Sequence, residues 1–225
     1  MFDSIEQELN LLYHTRAVWD IIWALRSAPH LPNEWQIDHY LLRTYVSTVC
    51  SGVRREVDAD KKTNSLRRNL EYLKSNRVSF TRNQFTQRFR DPGSLEEVKL
   101  LAHEAFLAFA PNGSDHVEEA VINESIRRLT AVVEPVTTYT NKVVAHRAQD
   151  MSFNTSRFSL AQIDHAMDEL EAVFKQYYRL RHPGESLGTL TPLTNPGWQL
   201  VFQDPWLPKG SSPPTVPNRS GFIEP

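Results

Sequence analysis

The sequence predicts an all-helical fold, an up-and-down bundle with an extended non-helical C-terminal strap. Apolar residues recur three or four positions apart in several long segments, which is the period of an amphipathic helix. Capping residues and prolines mark where these segments begin and end. From residue 183 onward the composition changes, since nine of the 14 prolines and five of the eight glycines lie there. No strand pattern extends beyond a few residues, so a helical bundle is the fold that these elements favour.

Local signals give the helix boundaries. The first helix starts near residue 4 and ends before residues 28–33, whose two prolines cannot continue a helix. The second starts near residue 33 or 34, and the third follows the capping residues 63–65. Three later starts carry capping boxes, in which a Ser or Thr pairs with an acid or amide three positions on. These boxes are Thr81 with Gln84, Ser94 with Glu97, and Ser159 with Gln162.

Apolar spacing predicts an apolar side on the later helices, and in the longest pattern this side is a core-facing or inter-helix stripe. In the helix after Ser94 the apolar positions are Leu100, Leu101, Ala105, Leu107 and Ala108. In a long pattern that begins at Asp115 they are Ile122, Ile126, Leu129, Val133, Val136, Thr140 and Val143. Thr140 is therefore predicted to be a packing residue. Pro135 interrupts this pattern and predicts either a kink or a break between two helices. A last helix spans about residues 160–181.

The chain is predicted to consist of a helical domain, residues 1–182, and a Pro- and Gly-rich tail, residues 183–225. Part of the tail is too apolar to be left in water without cause. Its apolar residues are Trp198, Leu200, Val201, Phe202, Trp206 and Leu207. We therefore expect the tail to dock on the bundle around residues 198–207 and to be mobile beyond about residue 209.

Composition places the chain among ordinary globular proteins. Its 225 residues include 40% hydrophobic and 23% charged residues, with a formal net charge of −2. The N-terminus lacks the apolar segment of a signal peptide, and no apolar run approaches the roughly 18–20 residues of a membrane helix. The single cysteine, Cys50, fits a reducing compartment and lies in an apolar stripe, where a buried thiol is expected. These features predict a cytoplasmic protein with no membrane partner.

Charge is distributed unevenly along the chain. Residues 54–90 contain 11 Arg or Lys against four Asp or Glu, a formal +7, whereas residues 94–139 contain three basic residues against eight acidic ones, a formal −5. A basic face of this kind can bind the RNA backbone. In the alternative interpretation, the two segments are solvated helix faces that pair with each other.

A polar cluster, residues 139–147, lies near the end of the long helical pattern. His146 can act as a general acid or base, or it is an end-of-helix histidine that interacts with the helix dipole. Asn141 can hydrogen-bond a phosphate or orient His146, or it is a solvent-facing amide. Lys142 and Arg147 can bind phosphate, or they are ordinary cations of a last helical turn. Residues three, four and seven apart share one face of a helix. If this segment is helical, Tyr139, Lys142, Val143 and His146 therefore lie on the same face.

The segment Asn141–His146 resembles the motif of the HEPN superfamily, small all-helical proteins of which many are RNases or RNA-binding proteins in bacterial toxin and defence systems. Residues 54–58 and 64–70 resemble helices of its abortive-infection AbiU-like branch, and residues 198–206 resemble that branch's closing motif. The resemblance implies RNA as partner, a homodimer, and a protein partner such as an antitoxin. For an RNase it implies metal-independent cleavage, with proton transfer by His146 assisted by Asn141, and phosphate binding by Lys142 and Arg147.

The chain departs from this family pattern at one position. The family carries an Arg before its His, with a gap of four to six residues, but positions 139–141 here hold Tyr, Thr and Asn. Lys142 and Arg147 are the cations left to replace it, although a Lys is a point charge where Arg is a bidentate fork. An endoribonuclease with a degraded motif and a non-catalytic RNA-binding relative both stay open.

No metal or cofactor is expected. His103 and Glu104 lack the second His of a zinc-protease helix, and His165 and Asp168 lack an evident third ligand. The sequence contains neither a Gly-rich phosphate loop nor a Gly-x-Ser-x-Gly turn. A function from another class also stays open, namely a non-catalytic helical scaffold or protein-interaction module.

Overall fold

The computed structural model describes residues 2–26, 35–89, 95–145 and 158–185, together with Leu190. In these ranges the predicted all-helical, up-and-down bundle is confirmed. Its seven α-helices are α1 (Phe2–Arg26), α2 (Trp35–Glu56), α3 (Leu66–Ser75), α4 (Arg82–Arg88), α5 (Leu95–Leu107), α6 (Glu119–Tyr139) and α7 (Leu160–Arg181). A 3-10 helix, Arg77–Ser79, precedes α4, and a π-helix, Thr140–Ala145, directly follows α6.

The helix α6 lies at the centre of the bundle, where it contacts α2, α3 and α7. Its predicted apolar stripe is confirmed. The buried members are Ile122, Leu129, Val133, Val136 and Thr140, while Ile126 and Val143 are half-buried. Fully burying an apolar side chain of this size contributes roughly 1.5–3 kcal/mol, so this stripe is a main source of the packing energy of the fold.

The helices α1 and α2 pack on each other through aromatic rings. Trp19 of α1 stacks on Tyr45 of α2 with a centroid distance of 4.7 Å and an interplanar angle of 11°. Cys50 is fully buried nearby in the same core, as predicted, and this burial raises the pKa of its thiol. A neutral buried thiol is a packing group rather than a nucleophile.

The short helices α4 and α5 attach to the bundle through a chain of aromatic rings. Phe85 lies 5.4 Å from Phe106, Phe106 lies 6.2 Å from Phe109, and Phe109 lies 6.0 Å from Tyr177 of α7, measured between ring centroids. The apolar side that the sequence gives α5 is not the side that packs on the bundle. Its buried residues are Ala102 and Phe106, because the large aromatic side chain packs on Phe85. The residues of the apolar side, Leu100, Leu101, Ala105, Leu107 and Ala108, are exposed.

Two features of α6 differ from the sequence pattern. The helix begins at Glu119 instead of Asp115, because the residues before it pair with the start of α4. The N–H of Arg82 donates to the carbonyl of Asp115 at 2.8 Å, and the N–H of Val117 donates to the carbonyl of Phe80 at 3.2 Å. Pro135 lies inside α6, which continues to Tyr139, so the predicted alternative of a break between two helices is wrong.

Polar groups join the end of α2 to the start of α3. Ser65 caps α3, since its hydroxyl accepts the N–H of Arg68 at 3.1 Å and donates to the carbonyl of Asp58 at 2.6 Å. The N–H of Leu66 donates to the Glu56 carboxylate at 3.0 Å. Glu56 is only 1% exposed, and burial raises its pKa to about 7 although this hydrogen bond and the charge of Arg55 favour the ionised form.

Little of the tail belongs to the described residues. Leu190 is buried among the core residues, and its N–H donates to a carboxylate oxygen of Glu171 at 3.0 Å. The tail therefore lies against α7 at this residue. Residues 198–207, predicted to dock, and those beyond 209, predicted to be mobile, lie outside the described ranges. The division into a domain of residues 1–182 and a tail stays a prediction. None of the described helices combines the length and apolar content needed to cross a membrane.

We predict that Glu56→Gln removes a pH dependence of stability. A carboxyl with a raised pKa keeps its proton in the folded chain at pH values where the unfolded chain has lost it. The carboxyl therefore contributes most to the free energy of unfolding below about pH 4.5, and this contribution is lost as the pH rises through 7. Gln still accepts the hydrogen bond from the N–H of Leu66. Because of Glu56, the unfolding free energy of wild type should decline by on the order of 3 kcal/mol between pH 4 and 8, and the variant should not show this decline.

Urea unfolding at several pH values measures this difference. Glu104→Gln, on the exposed side of α5, is the control. Parallel pH profiles for wild type and Glu56→Gln would mean that folding does not raise the pKa of Glu56.

Candidate functional site

The polar cluster of residues 139–147 begins where α6 changes its winding. The helix ends at Tyr139 and the chain continues as the π-helix Thr140–Ala145. A π-helix hydrogen-bonds residues five apart instead of four, and single turns of this kind are frequent at functional sites. The π-helix packs against α2 as well as against α6. Two elements are therefore available to surround any ligand bound at this end of α6.

The first two residues of the cluster face the core. Tyr139 is buried and stacks on Phe158 with a centroid distance of 4.3 Å and an interplanar angle of 11°. Thr140 is 1% exposed, and its hydroxyl donates to the carbonyl of Val136 at 2.8 Å. The prediction that Thr140 is a packing residue is confirmed. A guanidinium at this position would meet apolar core side chains in place of a solvent-accessible phosphate.

The next residues turn towards solvent. Asn141 is half-buried and Lys142 is exposed. The prediction that Tyr139 and Lys142 share one side is wrong. It assumed α-helical spacing, but the chain is wound as a π-helix from Thr140 to Ala145. His146 and Arg147 lie outside the described residues. The structure therefore brings together Asn141 and Lys142, and the predicted roles of all four residues stay predictions.

A polar surface of α2 runs from beside the π-helix to the far end of α2. It consists of Arg43, Thr44, Thr48, Ser51 and Arg54, all exposed, and we call it the hydroxyl–arginine face. The 17 residues between Asp38 and Glu56 include no Asp or Glu, so the face contains no carboxylate. Its two arginines are 11 positions apart, which places them on one side of the helix about 16 Å apart along its axis.

One electrostatic effect places the near end of this face beside the polar cluster. Burial raises the pKa of Tyr139, and the positive charge of Arg43 opposes that shift. Arg43 is therefore close enough for its charge to act at the end of α6. Because α2 also packs against the π-helix, we treat the hydroxyl–arginine face and the π-helix as one candidate site.

The basic segment of residues 54–90 does not form one continuous cationic surface. Lys74 and Arg77 both pair with Glu119 at 3.6 Å. Arg55 pairs with Glu8 at 2.8 Å. Arg82 donates to the carbonyl of Ser114 at 3.0 Å and lies over the ring of Phe106. Pairing with the acidic segment is therefore confirmed for Lys74 and Arg77.

Sequence reasoning missed most of the hydroxyl–arginine face, because it counted charge over a long window. The signal was present in α2, where several hydroxyl residues lie between Arg43 and Arg54 in a stretch without acids. It also missed the burial of Glu56, since a carboxyl beside two arginines is usually exposed. Within the described ranges, no three His, Cys, Asp or Glu side chains are grouped so that they could hold a metal ion.

No protein-family model, curated protein or solved structure matches the chain significantly. The resemblance to HEPN proteins therefore depends on the sequence motifs. The positions of the π-helix and of α2 are a separate observation, which does not depend on that resemblance.

We predict that Thr140→Arg destabilises the fold by roughly 3–5 kcal/mol, because it buries an unpaired guanidinium in the core. Thr140→Val keeps the shape and should stay within about 1 kcal/mol of wild type. Thr130→Arg, on the exposed side of the same helix, is the matched control. Chemical denaturation measures all three variants. Equal stability of Thr140→Arg and Thr130→Arg would mean that position 140 can present a cation to solvent.

Proposed function

We propose that this protein binds single-stranded RNA, as an HEPN-like member of a bacterial defence or toxin-type system, and that the phosphates lie on the hydroxyl–arginine face of α2 and on the adjoining π-helix. The observation that carries the proposal is the row of exposed arginine and hydroxyl side chains on α2, from Arg43 to Arg54, in a stretch of the helix without Asp or Glu. Arginine guanidinium and Ser or Thr hydroxyl groups are the usual partners of phosphate oxygens.

The charge distribution supports a local site. The whole chain has a formal net charge of −2, so long-range attraction to a polyanion is weak. A row of cations without intervening carboxylates can still bind a backbone, because each contact releases counterions from the nucleic acid. The hydroxyl groups of Thr44, Thr48 and Ser51 add neutral donors between the charges.

The burial of Thr140 bears on how phosphate is bound at the motif. The guanidinium that HEPN proteins place before their His has no counterpart here, and the core leaves no room for one at Thr140. In this proposal Lys142 and Arg147 bind the phosphate, with Arg43 of α2 as a third cation. Two of these three are guanidinium groups, which bind phosphate bidentately.

The proposed reaction is metal-independent cleavage of the RNA backbone. His146 accepts the proton of a ribose 2′-hydroxyl, whose oxygen forms a bond to the adjacent phosphorus, and the bond from phosphorus to the 5′-oxygen breaks. The leaving oxygen takes a proton, which gives a cyclic phosphate and a free 5′-hydroxyl. In this proposal the amide of Asn141 orients His146, as the resemblance to HEPN proteins implies.

The same resemblance leads us to propose a homodimer in the cytoplasm, in which two copies of the motif face one cleft. A protein antitoxin would be a further partner. The role as an RNA-binding protein without catalysis belongs to the same proposal, since phosphate binding by α2 does not require a reactive histidine.

A second candidate function is that of a protein-interaction module. The observation that favours it is the exposure of three leucines of α5, since Leu95, Leu100 and Leu101 are 70%, 60% and 43% exposed. Exposed leucines on consecutive turns are typical of a surface that another polypeptide covers.

We predict that wild-type protein retains and cuts mixed cellular RNA in a buffer with EDTA. His146→Ala should retain the RNA but lose cleavage by roughly 10²–10⁴-fold, the usual contribution of a general acid or base. The measurement combines filter retention with gel analysis of the RNA, and circular dichroism checks that the variant is folded.

Three outcomes separate the interpretations. Retention and cutting that both survive in His146→Ala would show that His146 is not catalytic. Retention without cutting, even by wild type, would identify a non-catalytic RNA-binding protein. Folded wild type that neither retains nor cuts RNA would contradict the proposal and favour the protein-interaction module.

A further inference from the structure

A groove of about 620 Å³ lies between the α4–α5 pair and α7. Its lining includes the aromatic rings of Phe85, Phe89 and Phe109 and three alanines with short side chains, Ala105, Ala108 and Ala172. Charged and polar side chains complete the lining, namely Glu104, Lys175, Gln176, Arg179 and Glu185. The groove therefore offers an apolar surface bordered by polar groups, and its volume is large enough for large side chains.

The groove continues along α5 as an apolar surface. Leu101, Ala105 and Ala108 follow one another at steps of four and three, so they share one side of that helix. Leu101 is 43% exposed, and both alanines are exposed. In the described part of the chain, this side of α5 has no helix packed on it that would bury these residues.

We propose that the tail segment of residues 198–207 occupies this groove within the same chain. This inference concerns the architecture of the protein and does not depend on its binding RNA. The segment contains Trp198, Phe202 and Trp206, three large aromatics at intervals of four residues, and Asp204 is its single charged residue. Its composition matches an apolar groove.

The path of the chain leads to the groove. Gly184 and Glu185, the residues where the chain leaves α7, line one end of it. At Leu190 the chain still lies against α7, where it is hydrogen-bonded to Glu171, the neighbour of Ala172 in the groove wall. The tail thus starts at the groove, and at Leu190, the last residue that the structure places, it lies against α7, the helix that forms one side of the groove.

The remaining chain is long enough to enter the groove. Trp198 lies eight positions after Leu190, and an extended chain spans at most about 3.3–3.6 Å per residue, or about 26–29 Å. The α7 residues that line the groove run from Ala172 to Arg179, which is about 10 Å of helix. No rearrangement of the bundle is needed for the tail to turn back along α7.

A tethered tail also outcompetes the same segment of a second copy. A short tether gives the segment an effective concentration in the millimolar range, far above the concentration of the protein in solution. Docking within one chain is therefore favoured over exchange of tails between copies. The tail covers the apolar side of α5 that would otherwise be left in water.

Photo-crosslinking in the full chain tests this assignment. Phe202 is replaced by p-benzoylphenylalanine, and the linked peptides are identified by mass spectrometry in an equal mixture of ¹⁴N- and ¹⁵N-labelled protein. We expect links to peptides of α5 or α7 that join partners of the same label. Links of mixed label would show that a second copy fills the groove, and links to other helices would show that the tail docks elsewhere. Either result overturns the proposal.

Groove-filling variants supply an independent check. Ala172→Trp and Ala108→Trp place a large side chain where the tail would lie, and both positions are exposed, so the bundle tolerates them. Each should lower the yield of the α5 and α7 links several-fold and speed proteolysis of the tail. Ala120→Trp, at an exposed position of α6 away from the groove, is the matched control. Unchanged yields in both groove variants would overturn the proposal.

Discussion

The apolar stripe of α6 is the constraint on which the rest of the structure depends. It contacts α2, α3 and α7 at once, and it stays buried from Ile122 to Thr140, the first residue of the π-helix. Tyr139 and Thr140 must therefore face the core although they begin the polar cluster. The π-helix follows at this point, and the chain is solvent-exposed again at Lys142. Packing thus decides which residues of the cluster can meet a ligand.

The same constraint connects the core to the proposed chemistry. Because Thr140 is a core residue, burying a guanidinium there would lose more free energy than phosphate binding could supply. Cations must then come from neighbouring surfaces, and the nearest described one is the hydroxyl–arginine face of α2. Ion pairs occupy Arg55, Lys74 and Arg77, whereas Arg43 and Arg54 lie at the two ends of a row of exposed hydroxyl groups on α2.

The fold was largely predictable from the sequence because helical periodicity and capping are local. The last helix was predicted at about residues 160–181 and is found at Leu160–Arg181. Failures occurred where tertiary contacts decide. The buried side of α5 is set by Phe106 packing on Phe85, which no spacing of leucines records. The start of α6 is delayed by pairing with the residues around Arg82. The winding of residues 140–145 depends on the packing of α6, so a prediction based on α-helical faces misplaced Lys142 relative to Tyr139.

The central claim, that RNA phosphates lie on α2, is tested most directly by the salt dependence of binding to a single-stranded RNA. For single strands, the logarithm of the affinity falls with the logarithm of salt concentration by about 0.7 per phosphate contact. The double variant Arg43→Ala, Arg54→Ala should bind more weakly, with a slope smaller by about 1.4. Arg127→Ala, at an exposed α6 arginine paired with Glu124, should leave both quantities unchanged. Equal slopes and affinities for the double variant and wild type would contradict the account.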